Sequence, residues 1–178
     1  MNKEYRDYGL IVNTLGLLDT FSATILFNFL KSSREWKGTR REKTIFGNTD
    51  IVYNINFRGR IASYPVKPWI KELSSIKEKI QNITGEIYTV CVVQYYPNGK
   101  FGINSHRDKE MVHGTTIVGL SLGAERTLEM SRNGKTISIP LPHGSIYILY
   151  PPTNDLWAHS IPPTETIVPR ISLTFRNY

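Results

Sequence analysis

Apolar side chains recur at three- and four-residue spacing from Thr20 to Leu30, at Phe21, Ile25, Leu26, Phe29 and Leu30, behind Asp19 as an N-cap. That spacing predicts an amphipathic helix. The same period returns at Trp69, Ile70, Leu73, Ile76 and Ile80 and stops before Gly85, which predicts a second helix with Pro68 at its first position. From residue 87 the period shortens to two. Ile87–Tyr96, Thr116–Ser121, Thr127–Met130, Thr136–Ile139, Ser145–Tyr150 and Arg170–Arg176 read as strands, separated by Asn-Gly or Pro/Gly punctuation. Asn133-Gly134 between two of them predicts a type I′ hairpin, since that turn needs positive φ at both central residues. Two helices followed by many short strands predict a mainly β chain of α+β class: an antiparallel sandwich or jelly roll with helices on one outer face. Residues 1–18, rich in tyrosine and charge, receive no element and no role.

A length of 178 residues suits one domain, with helices and a basic stretch over about 19–86 and the β core over 87–178. With 40% apolar and 21% charged residues, disordered, collagen-like and coiled-coil classes are excluded. The 22 basic against 15 acidic residues give +7, which favours a polyanionic partner, nucleic acid or an acidic membrane surface alike. Residues 31–43 concentrate that charge: Lys31, Arg34, Lys37, Arg40, Arg41 and Lys43 against Glu35 and Glu42. With Trp36 and Phe46 interleaved, the stretch suits a nucleic-acid lid, cations for phosphate and aromatics for stacking. A solvated face or a nuclear-import signal fits the charge run as well. The single Cys91 forms no internal disulfide, and no Cys/His spacing suits structural zinc, so a reducing compartment is expected. The N-terminus lacks an apolar h-region and no run approaches the ~18 residues a membrane span needs. The expectation is a soluble monomer of cytoplasm or nucleus with no membrane partner.

In His106-Arg107-Asp108 an imidazole and a carboxylate stand two apart, so an extended backbone sends both to one face, where they can grip one ion. His159 would complete a two-His, one-carboxylate set with open metal positions, as a non-haem Fe(II) oxygenase requires; His-x-Asp alone is more often a surface pair. Alternation over Pro169–Arg176 sends Ile171, Leu173 and Phe175 to one side and Arg170, Ser172, Thr174 and Arg176 to the other. Two arginines and two hydroxyls on one face suit a five-carbon dicarboxylate, and also a solvated strand.

Gln94-Tyr95-Tyr96, His106-Arg107-Asp108-Lys109-Glu110, the run from Leu141 to Pro163 and Pro169–Tyr178 together resemble the AlkB family of Fe(II)- and 2-oxoglutarate-dependent nucleic-acid dealkylases, nearest its duplex-DNA-repair branch. The likeness runs from about Phe29 to Tyr178 and includes Lys67-Pro68-Trp69-Ile70 and Thr84-Gly85. It implies a double-stranded β-helix acting as a dioxygenase, with Fe(II) held by His106, Asp108 and His159 and O₂ as oxidant. It further implies 2-oxoglutarate with its distal carboxylate at Tyr96 and Arg170 and its metal-bound end near Arg176, Thr174 and Gln94. Gln94 and Ser172 stand where the family usually carries Asn. Methylated DNA is the implied partner, N1-methyladenine and N3-methylcytosine the bases, and alkylation-damage repair the purpose. Glu110 is placed to face the exocyclic amine of a cationic base. Lys109 is a phosphate or solvent contact. Tyr53, Ile55 and Phe57 alternate as a wall opposite His106, or as core packing. Trp36, Arg40, Arg41 and Phe46 would line the lid. Ser32-Ser33-Arg34 stands where the duplex-repair branch carries an aromatic finger, so single-stranded or distorted substrate is expected. The same chemistry on RNA, and a catalytically silent nucleic-acid-binding module, are the alternatives; a protein hydroxylase would need no basic-aromatic lid.

Overall fold

The computed structural model describes residues 2–33, 36–57 and 59–178; Arg34 and Glu35 of the basic stretch lie outside the described residues, as does the side chain of Phe57. In chain order the elements are β1 (Lys3–Asp7), β2 (Leu10–Gly16), α1 (Thr20–Ser32), β3 (Glu42–Gly47), β4 (Tyr53–Phe57), β5 (Arg60–Tyr64), β6 (Val66–Pro68) and α2 (Lys71–Thr84). There follow β7 (Val90–Tyr96), β8 (Ile103–His106), β9 (Ile117–Gly123), β10 (Arg126–Arg132), β11 (Lys135–Leu141), β12 (Ser145–Leu149), the single turn α3 (Thr153–Leu156), β13 (Ala158–Ile161) and β14 (Arg170–Arg176).

A large sheet ordered β1-β2-β12-β9-β14-β7-β3-β6 faces a smaller one ordered β11-β10-β13-β8, and β4 and β5 form a separate hairpin. The two facing sheets form a jelly roll, with both long helices packed on the outer face of the large sheet. Period-two alternation divides the core. Cys91, Val93 and Tyr95 of β7 and Ile171, Leu173 and Phe175 of β14 meet Leu26 and Leu30 of α1 and Leu73, Ile76 and Ile80 of α2. The opposite face of the large sheet closes on Leu128, Met130, Ile139 and Leu141 of the small sheet.

Local chemistry fixes the helix ends. Asp19 caps α1, its Oδ1 accepting from the Ser22 N–H at 2.9 Å. The buried stripe of α1 is Ala23, Leu26 and Leu30, while Phe21 is 76% exposed and Ile25 55%, so only part of the apolar pattern marks the packed face. Gly85, at φ 74°, ends α2 in the left-handed region that suits glycine. Pro68 does not open that helix. It closes β6, paired parallel with β3 at the outer edge of the sheet, where its missing N–H interrupts no ladder. Helix α2 begins after Ile70 with no side-chain cap.

The N-terminal segment and the basic stretch both differ from the division at residue 87. Strands β1 and β2 extend the large sheet through β12, and β3, inside the expected lid, pairs antiparallel with β7. The Asn133-Gly134 turn joins β10 to β11 with positive φ at both residues.

Candidate active site

Antiparallel pairing of β8 with β13 sets His106 directly opposite His159, their ring centroids 4.4 Å apart. Asp108, two residues beyond β8, reaches back so that His106 Nε2 lies 3.5 Å from its Oδ1 and His159 Nε2 lies 3.9 Å from its Oδ2. One ligand atom from each of the three falls within 4.8 Å of the others. His106 Nδ1 is 2.9 Å from the Asn104 carbonyl, which fixes the ring with Nε2 facing the cluster. Two imidazoles and one carboxylate on one side of an ion are the donor set of a non-haem Fe(II) centre.

Electrostatics bind the cluster together. Burial alone would raise the Asp108 carboxyl, but the Arg176 charge and the His106 hydrogen bond hold it well below the usual carboxylate range. Burial drives His159 down to about 4, so it stands as the neutral base a metal requires. At His106 burial acts the same way, yet the hydrogen bond and charge of Asp108 prevail and raise it.

Behind the cluster lies a slot between the sheets, lined by Gln94, Tyr96, Arg170, Ser172, Thr174 and Arg176 together with all three cluster residues. The register of β14 on β7 produces this face: Arg170 stands opposite Tyr96 and Ser172 opposite Gln94, while Ile171, Leu173 and Phe175 turn to the helices. Arg170 Nε donates to Ser121 Oγ at 2.9 Å, its guanidinium lies 5.1 Å from the Tyr96 ring centroid, and Tyr96 donates its hydroxyl to Gln94 Oε1 at 2.9 Å. The longer arm of Gln94 thus reaches Tyr96. Arg170 Nη1 and Arg176 Nε are buried without a hydrogen-bond partner among the described residues. Buried donors of this kind call for an acceptor, and a dicarboxylate supplies one at each end. The residues therefore fit Fe(II) and 2-oxoglutarate.

Three further residues, given no role by the sequence motifs, shape the site. Tyr147 of β12 lines the slot, its ring lying over Gly119, where an added Cβ would come within 2.2 Å of ring carbons. Burial pushes its hydroxyl up to about 12. Arg126 donates to the carbonyls of Phe101 and Pro162 at 3.0 and 2.7 Å and so ties together the two loops beside Tyr96. Asn154 hydrogen-bonds the backbone of Asp108. Alternation along β12 would have put Tyr147 on the face of Leu149; for the other two only the folded loops reveal the contact.

On the open side of the cluster, a cavity of about 730 Å³ is lined by Arg41, Lys43, Tyr53, Ile55, Lys109 and Glu110 as well as His106 and Asp108. Lys43 sits 4.0 Å over the Tyr64 ring and is lowered to about 8 by burial, then by Arg41 and Arg176, against the opposing pull of Glu110. Arg41 is exposed and donates to the Gly102 carbonyl at 3.1 Å. Arg40 is exposed and does not line the cavity.

Two aromatics assigned to the lid lie elsewhere. Phe46 is a core residue, 1% exposed, because alternation along β3 turns it toward the helices beside Cys91. Trp36 stacks on Tyr95 at 5.2 Å and donates its indole N–H to the Leu30 carbonyl, which anchors the helix-side part of the basic stretch to the domain. Tyr53 is buried as well, its hydroxyl accepting from Arg176 Nη1 at 2.7 Å, and it enters the cavity wall with only 1% of its surface exposed. Ile55 is half-buried at the cavity wall.

Residues 32–176 match the family model described as the 2OG-Fe(II) oxygenase superfamily, and the chain belongs to that superfamily. Human "DNA oxidative demethylase ALKBH2" is 31% identical over 155 residues, covering 80% of this chain and 58% of that protein. Human "Alpha-ketoglutarate-dependent dioxygenase alkB homolog 3" is 33% identical over 186 residues, covering 90% of this chain and 63% of that one. Both relatives are AlkB homologues by name, and the chain spans about three-fifths of their length. A solved structure described as "The structure of OsALKBH1" superposes with a TM-score of 0.66 at 14% identity, over 99% of this chain and 100% of that one, a likeness of fold.

Proposed function

We propose that the protein oxidatively demethylates N-methylated nucleobases, N1-methyladenine and N3-methylcytosine, in DNA. The observation that carries this reading is the cationic cavity of Arg41, Lys43 and Lys109, which opens directly onto His106 and Asp108 with Glu110 beside them. Cations at the rim suit the phosphate backbone, and the lone carboxylate suits a ring made positive by its methyl group. Fe(II), when bound, would let O₂ oxidise 2-oxoglutarate to succinate and CO₂ and place its second oxygen atom on the N-methyl carbon, after which the carbinol breaks down to formaldehyde and the repaired base.

The chain's own residues bind, orient and exclude water. His106, Asp108 and His159 hold the metal; Arg170 and Tyr96 take the far carboxylate of the co-substrate from the buried end of the slot. Arg176 and Thr174 serve its near end, and Glu110 orients the base. Both aromatics of the basic stretch pack against the domain, Phe46 in the core and Trp36 on Tyr95, which supports a preference for single-stranded or distorted substrate over intact duplex.

The test is turnover with Fe(II) and 2-oxoglutarate on DNA and RNA oligonucleotides bearing each base, single-stranded and in matched duplex. The reading expects formaldehyde and restored base, faster on single-stranded DNA. Succinate formed over untouched oligonucleotide overturns the substrate, faster repair of RNA overturns the choice of DNA, and faster repair of duplex overturns the strand preference.

A further inference from the structure

One side chain holds the peptide of Asp108 from both sides. The Asp108 N–H donates to Asn154 Oδ1 at 2.9 Å, and Asn154 Nδ2 donates to the Asp108 carbonyl at 2.7 Å. A primary amide so placed imitates the paired bonds of a neighbouring strand, and it does so beyond the end of β8, where Asp108 has no ladder partner. A second tie joins the same two segments, Arg107 Nη1 donating to the Asp155 carbonyl at 2.7 Å.

Asn154 is itself held from behind. It lies in α3 next to Thr153, which is fully buried and whose hydroxyl accepts from the Ile11 N–H at 2.8 Å and donates to the Ile11 carbonyl at 3.1 Å. At the other end of α3, Trp157 Nε1 donates to the Tyr8 carbonyl at 2.9 Å. An unbroken line of hydrogen bonds therefore runs from the β1–β2 hairpin through α3 to Asp108.

The carboxylate needs such a hold. Arg176 Nη2 lies 2.8 Å from Asp108 Oδ2, nearer than either imidazole, and an Asp108 free to follow that guanidinium would swing away from the two histidines. We infer that Asn154 is a positioning residue that fixes the Asp108 carboxylate for the metal, and that the N-terminal hairpin, acting through Thr153, keeps Asn154 in place. The inference rests on the metal-binding role of Asp108. Its readout is metal binding, so a failed substrate assignment leaves it standing.

The experiment uses Co(II) as the probe, titrated into the metal-free protein and followed by visible absorption, with circular dichroism to monitor folding. Asn154→Asp keeps the shape and one acceptor but loses the donor to the Asp108 carbonyl; Asn154→Ala loses both bonds. Each should bind Co(II) about 10- to 100-fold more weakly, with displaced absorption bands, while remaining folded. Thr153→Val should weaken binding in the same direction. A folded Asn154→Asp protein with wild-type affinity and bands overturns the inference, whatever its melting temperature. Wild-type affinity in Thr153→Val overturns the part assigned to the hairpin. Should both Asn154 variants fail to fold, Asn154→Gln, which carries the same groups on a longer arm, is read in their place: displaced bands support the inference and unchanged bands overturn it.

Discussion

Arg176 Nη2 lies 2.8 Å from Asp108 Oδ2 while its Nη1 donates to the Tyr53 hydroxyl at 2.7 Å, so one buried guanidinium holds both the carboxylate of the His-Asp-His cluster and a side chain of the cavity wall. Arg176→Met leaves a buried carboxylate without its cation. The metal-free protein should lose about 3–5 kcal/mol, measured by urea unfolding at neutral pH. Asp108, held low, adds stability that is present above its unfolded value near 4 and is lost only as pH falls into strong acid. In Arg176→Met that acid loss should shrink, because burial, no longer opposed by the guanidinium, raises the carboxyl in the folded state. Arg176→Lys keeps the charge without the two-pronged grip, so it should recover part of the stability and little of the co-substrate affinity.

Removing a donor from the cluster is a separate matter. His159→Ala should weaken Co(II) binding by more than ~100-fold, since changes one layer further out already reach 10- to 100-fold. The same variant should abolish both succinate formation and demethylation, and chelation of the wild type should do so reversibly.

Lys43 gives the cavity a pH dependence. It is protonated at neutral pH and sheds its charge as the pH passes about 8, leaving Arg41, Arg107, Lys109 and Arg176 as the cations that line the cavity with Glu110. The KM for a methylated oligonucleotide should therefore rise above pH 8. Lys43→Met should show a raised KM without that step and a salt dependence shallower by about one phosphate contact.

Phe46 and Arg41 should separate packing from binding. Phe46→Ala empties a core position and should cost about 3–5 kcal/mol in unfolding with the oligonucleotide KM unchanged in the folded enzyme. Arg41→Ala, at an exposed rim position, should raise that KM and leave unfolding within about 0.5 kcal/mol of wild type.

Periodicity carried the parts of this molecule whose neighbours in sequence are also neighbours in space. The alternation of β14 separates Ile171, Leu173 and Phe175 from Arg170, Ser172, Thr174 and Arg176 because a strand buried on both faces must still divide its side chains between them. Pro68 misled because proline suits both a first helical turn and a sheet edge, and only the pairing of β6 with β3 decides between them. In the basic stretch, charge density concealed a strand: Ile45 and Phe46 are core residues that follow directly on Arg40, Arg41 and Lys43. Residues 10–15 do carry the apolar, β-branched run of a strand, Leu-Ile-Val-Asn-Thr-Leu, with Leu10 and Val12 fully buried, but besides the polar, mostly exposed β1 its partner is β12, more than a hundred residues away. The tie between Asn154 and Asp108 is equally remote in sequence, and no local pattern announces it.

Because β2 covers one side of β12, the first sixteen residues also guard the protein against itself. A form beginning after Gly16 would leave Ser145–Leu149, all buried and four of them apolar or aromatic, with an unpaired row of backbone donors and acceptors facing water. Such a shortened chain should self-associate through that strand, and its solubility would report on the hairpin before any assay of chemistry could.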